Sequence, residues 1–161
     1  MQPKIIQLAL AVVLLGGAGL LTARFVGQDK GVSESSFFYD LSKKELFAGP
    51  REALPPIRGL DDATEDAVRA VVISPSGNPK DKAGRRIAYL EKYAPELKQH
   101  LRQVREGKAE PLPSKARNAL RFVKRVDDDQ WHALNTPQGE KILAEWNVAE
   151  PDGKYPAVCV P

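Results

Sequence analysis

From Ile5 to Phe25 the chain reads IIQLALAVVLLGGAGLLTARF, with Gln7 the single polar residue before Thr22. A helix of about 20 such residues rises about 30 Å, the thickness of a bilayer core. A buried helix of a soluble domain would carry a polar face, and this run has none. The pattern predicts an uncleaved anchor over residues 1–26 that contacts the lipid bilayer through residues 5–25. A cleaved secretion signal is the alternative, but Leu21 stands two positions before Ala23 where a cleavage site wants a small residue. Lys4 and the very short leading tail favour an inside N-terminus. In a bacterium that means an inner-membrane protein, single-pass, with a periplasmic domain. Gly19 and Ala23 form a small-xxx-small pair through which a partner helix could approach closely. GQDKGVSES, residues 27–35, reads as a flexible tether.

Beyond it the apolar positions recur at shorter range. FFYDL and ELFAG, separated by the polar SKK, predict a hairpin, with Phe37, Tyr39 and Phe47 on one face. Phe38 completes this aromatic cluster, which is core material or a contact for protein or membrane. REALPPIRGLDDATED reads as a linker, AVRAVVI as a strand, SPSGNPKDKAG as a loop and RRIAYLEKY as a strand pairing back. Pro95 suits a first helical turn, Leu97, Leu101 and Val104 follow at helical spacing, and Gly107 stops the helix. ARNALRFVKRV fits either element through Ala116, Leu120 and Val123, with a strand favoured over residues 122–126. WHAL suits a short strand. Thr136 is placed to cap a helix beginning at Pro137 and turning Ile142, Leu143 and Trp146 inward. The tail EPDGKYPAVCVP reads as irregular. Residues 36–161 are therefore expected to form a small α+β domain of four or five short antiparallel strands and two helices.

Composition changes this picture little, but charge distribution does. The net charge of +3 includes Lys4 and Arg24 beside the apolar run. Residues 80–125 carry 14 Lys and Arg against five Asp and Glu, whereas the flanking segments are acidic. The basic segment either neutralises its acidic neighbours across the fold or offers a face to anions, with Lys80, Lys82, Arg85 and Arg86 the candidate contacts. Tyr89, Tyr93 and Phe122 could stack on bases, yet no signature of a nucleic-acid fold is present and a periplasmic site would remove that partner. His100, His132 and the lone Cys159 match no zinc spacing, and Asp127, Asp128 and Asp129 lack the remaining parts of a calcium loop. No G-x-S-x-G, P-loop or H-E-x-x-H occurs. No catalytic residue, cofactor or metal ligand is assigned.

FFYDL…ELF, PPI, VRAVV and above all YLEKYAPE at residues 89–96 resemble a group of uncharacterised bacterial proteins that carry one N-terminal anchor. The resemblance runs from Phe37 to Cys159. It implies a Cys-x-x-Cys-like pair in the loop before YLEKY, with further cysteines near the C-terminus in the manner of a zinc ribbon. Here that loop is SPSGNPKD and only Cys159 is present. The resemblance implies an anchored architecture and no activity. The resulting expectation is a non-enzymatic binding or accessory subunit of a membrane or envelope complex, with protein partners. The alternatives are a domain binding an anionic ligand through residues 80–125 and an enzyme with an unfamiliar site.

Overall fold

A computed structural model of the chain describes residues 33–61 and 63–161. The expected span, with Gly19 and Ala23, and residues 27–32 of the tether lie outside the described residues. Among the described residues, no helix is long and apolar enough to cross a membrane.

The described chain is an α+β domain around one antiparallel sheet. Its elements run β1 (Ser35–Asp40), β2 (Glu45–Pro50), β3 (Ala67–Ser74), β4 (Arg86–Tyr93), α1 (Pro95–Arg105), α2 (Ser114–Ala119), β5 (Arg121–Lys124), β6 (His132–Ala133), α3 (Pro137–Glu145) and β7 (Ala157–Cys159). Six strands lie in the order β2-β1-β3-β4-β5-β6, and β7 pairs with β3. Seven strands and three helices replace the expected four or five and two. The unexpected elements are short, α2 of six residues and β7 of three, whereas the two-residue β6 falls within the expected WHAL strand. Segments of that length complete too few periods to announce themselves. ARNALRFVKRV resolves into both of its readings in succession, α2 and then β5. The tail expected to be irregular closes as β7.

The hairpin forms with one change. Its register places Phe38 opposite Phe47, with ring centroids 6.0 Å apart, and Phe37 opposite Ala48. Directly opposed residues share a face, so Phe38 and Phe47 lie together while Phe37 and Tyr39 take the other side. The four-residue turn sets this register, and a one-residue difference exchanges the faces. Phe38 is fully buried against Gly49, where a Cβ would come within 2.8 Å of the ring. Asp40 ends β1 and organises the turn. Its carboxylate accepts from Lys43 N–H at 2.8 Å and Leu60 N–H at 2.7 Å, and from the Ser42 amide and hydroxyl. These bonds, led by that from Lys43, hold its pKa below the ordinary carboxylate value against the opposing effect of burial.

Strand β3 is the hub. Ala67–Arg69 pair with β1, and Val72–Ser74 pair with β7 on the same edge. Ala70 and Val71 lie at the fork between those partners. Val68, Ala70, Val72, Leu90 and Cys159 form a buried apolar cluster. Helix α1 begins at Pro95 and is followed by Gly107 at φ 69°, as its sequence predicts, and Leu97 is fully buried. Thr136 caps α3 by accepting from Gly139 N–H at 3.2 Å. A Cβ on Gly139 would meet Ala133 O at 2.2 Å, so this glycine lets α3 press onto β6.

Candidate functional site

Alternation along β4 places Tyr89, Glu91 and Tyr93 on one face and Leu90 and Lys92 on the other. Antiparallel register then carries one row across the sheet: Phe47, Phe38, Arg69, Glu91, Val123 and His132. Glu91 is 4% exposed and lies opposite Arg69. A buried carboxylate needs a partner, and Arg121, one position diagonally removed on β5, supplies it. The Arg121 Nε donates to Glu91 Oε1 at 2.6 Å, and Nη2 lies at the same distance. Burial alone would loosen the Arg121 proton. The Glu91 charge and hydrogen bond more than reverse this and hold its pKa above the ordinary value. The flanking phenols are neutral at physiological pH. Burial, reinforced by the Glu91 charge, pushes Tyr89 up to about 12 and raises Tyr93 in the same direction.

Above this row opens a cleft of about 580 Å³, bounded by the sheet, α1, the turn after β2, α2 and β7. Five arginines line it: Arg51, Arg69, Arg105, Arg117 and Arg121. Leu54, Leu97, Leu101 and Val158 supply apolar wall. Arg69 is a brace as well as a lining group. Its Nη2 donates to Arg51 O at 2.9 Å and Ala53 O at 2.8 Å, while its Nε is buried without a partner among the described residues. Arg105 Nη2 donates to Glu52 O at 2.7 Å and reaches Glu52 Oε2 at 3.4 Å. Arg51 and Arg117 have no side-chain hydrogen bond or ion pair among the described residues. Two carboxylates, Glu52 at the rim and Glu91 beneath Arg121, stand against five guanidinium groups. Guanidinium forks bind carboxylate and phosphate oxygens in pairs, so the cleft is chemically fitted to an anion.

The anion contacts expected from the sequence lie elsewhere. Lys80 and Lys82 are exposed in the loop between β3 and β4. Arg85 donates to Pro79 O at 3.0 Å and sits 5.6 Å from the Phe37 ring, and Arg86 pairs with Glu150 at 2.8 Å. None of the four lines the cleft. Of the aromatic candidates, Phe37 lines it, Phe38 is buried, and Tyr39 and Phe47 are half-buried away from it. His100 Nε2 lies 2.9 Å from Glu110 O, Asp128 pairs with Arg125, and among the described residues no cluster could hold a metal ion.

Sequence reasoning reached the basic segment and missed its centre. Arg105, Arg117 and Arg121 fall within it, but Arg51 and Arg69 come from the acidic half of the chain. The one available signal was the alternation of RIAYLEKY, which commits Glu91 to the face of two tyrosines. Comparison with family models, with curated proteins and with solved structures finds no match for this chain.

Proposed function

We propose that the chain is a membrane-tethered, non-catalytic binding module that holds an anionic ligand in the arginine cleft. The observation that carries this reading is the convergence of five guanidinium groups on one cleft of about 580 Å³, two of them with no protein partner among the described residues. That volume suits a small molecule or the side chains of a docked peptide. Guanidinium groups and a neutral phenol hold oxygens rather than relay protons, which favours binding over catalysis. The apolar run over residues 5–25 supports the tether, which would keep the cleft beside the membrane.

Titration calorimetry of the full chain in detergent with pyrophosphate and with citrate tests the cleft. Saturable binding that weakens steeply with salt is expected. Replacing Arg51 and Arg117 together by Gln removes two charge-assisted hydrogen bonds and weakens binding about tenfold or more. Replacing Arg85 and Arg86 by Gln leaves it unchanged. Equal affinity of the Arg51/Arg117 variant and the natural chain would overturn the assignment. The tether is tested separately: the chain stays with membranes through alkaline carbonate extraction, and a soluble mature form starting after residue 26 would refute it.

A further inference from the structure

The opposite face of β4 carries a second cationic group. Lys92 lies opposite Phe122, and Lys124 lies opposite Leu90, so the two lysines are diagonal neighbours on one sheet face. The indole of Trp131 covers both: Lys92 Nζ is 4.5 Å from its ring centroid and Lys124 Nζ 5.5 Å. Among the described residues neither ammonium has an ion pair, and Lys124 donates only to Asp128 O at 2.7 Å. Other cations at the sheet are compensated: Lys98 has Glu65 at 2.9 Å, Arg121 has Glu91, Arg125 has Glu145 and Asp128, and Arg69 and Arg85 donate to backbone carbonyls. Burial, with the Lys124 charge second, holds the Lys92 pKa below its ordinary value, the mark of an ammonium short of negative partners. Beside this cluster lies a cleft of about 930 Å³ between β4, β5 and α1. Phe122, Trp131, Pro56 and Pro95 make its apolar walls, and Lys92, Arg102 and the Lys98–Glu65 pair are its charged groups.

We infer that this cleft is a second binding site, separate from the arginine cleft, for a flat apolar ligand carrying one carboxylate. The Lys92 ammonium, which lines the cleft with no ion pair among the described residues, fixes where the carboxylate sits, and Lys124 on the same indole adds positive charge nearby. The aromatic and proline walls fix that the remainder of the ligand is apolar and planar, since a ring packs on an indole offset or edge-on with a gain beyond its buried area. A small hydrated anion would leave the walls wet, and a neutral arene would leave Lys92 unpaired. An aryl carboxylate satisfies both.

The probe is 2-naphthoate, added to the full chain carrying Trp146→Phe so that Trp131 is the only indole. Saturable quenching of Trp131 fluorescence with a dissociation constant of about 1 mM or lower is expected, with acetate silent and 2-naphthamide at least about tenfold weaker. Lys92→Met weakens naphthoate about tenfold, and Lys92→Arg restores most of the affinity. Arg117→Gln changes nothing, which separates this site from the arginine cleft and lets either fail alone. Equal quenching by naphthoate and naphthamide, unsaturated quenching, or a Lys92→Met variant that binds as well as its parent would overturn the inference.

Discussion

Glu91 and Lys92 are adjacent in β4 and face opposite sides of the sheet, and their surroundings differ in kind. Glu91 is buried and bonded to Arg121, so its charge belongs to the fold. Lys92 sits under an indole with a second ammonium nearby and no carboxylate, so its charge is left for something else. Helix α1 divides the two settings: Leu97, Leu101 and Arg105 line the arginine cleft, and Lys98, Gln99 and Arg102 line the tryptophan cleft. A paired buried charge anchors architecture, whereas an unpaired, half-buried one costs stability that only a ligand returns. The two clefts therefore differ in what their central charges do for folding.

The largest effect is expected where α1 packs on the sheet. Leu97 is fully buried on α1, and Leu97→Ala is expected to destabilise the domain by about 3 kcal/mol through lost burial and a cavity. Urea denaturation measures this, and naphthoate and pyrophosphate binding should weaken together. Loss at one cleft alone would show that α1 does not wall both.

Next in size is Glu91→Gln. It strands Arg121 without its carboxylate. A fully buried pair broken in this way costs roughly 3–5 kcal/mol, but the Arg121 side chain keeps some water, so about 2 kcal/mol is expected by the same measurement. A cost near zero would mean that the pair is replaceable and that Glu91 is as idle structurally as Lys92.

The distinction between these neighbours was half legible in the chain. RRIAYLEKY announces a strand, and alternation alone puts Glu91 and Lys92 on opposite faces. Local signals likewise placed the opening hairpin, the Pro95 start and Gly107 end of α1, and the Thr136 cap of α3, because each depends on residues within a few positions of one another. What decides a charge's role is its partner, and Arg121 lies 30 residues from Glu91. Arg51 and Arg69 reach the cleft only because β3 pairs on one side with β1 and on the other with β4, a long-range arrangement that no local pattern encodes. Strand β7 illustrates the same limit. Three residues after an irregular EPDGKYP acquire strand geometry only by lying against Val72–Ser74. The four-residue turn after Asp40 was visible as a turn, but its effect on register, and with it the face of Phe38, was not.

The smallest change in stability is expected at Lys92. Lys92→Met keeps the aliphatic stem on Trp131 and removes the charge, so stability should change by less than about 1 kcal/mol and in the stabilising direction. The pH dependence follows from the depressed Lys92 pKa, set by burial and by Lys124, with the Lys98–Glu65 pair and Arg102 across the cleft. The proton on Lys92 is disfavoured in the folded state relative to the unfolded chain. The penalty is therefore fully present below the folded pKa, fades as pH rises through it, and is gone above the unfolded value of about 10.4. The advantage of Lys92→Met over the natural chain should accordingly be greatest near neutrality and shrink as denaturation curves are repeated at increasing alkaline pH. Saturating naphthoate at neutral pH should reverse the ranking, because a carboxylate on the Lys92 ammonium stabilises only the chain that keeps it. A variant less stable than its parent without ligand would show that Lys92 is already compensated within the fold, and the contrast between the two faces of β4 would lapse.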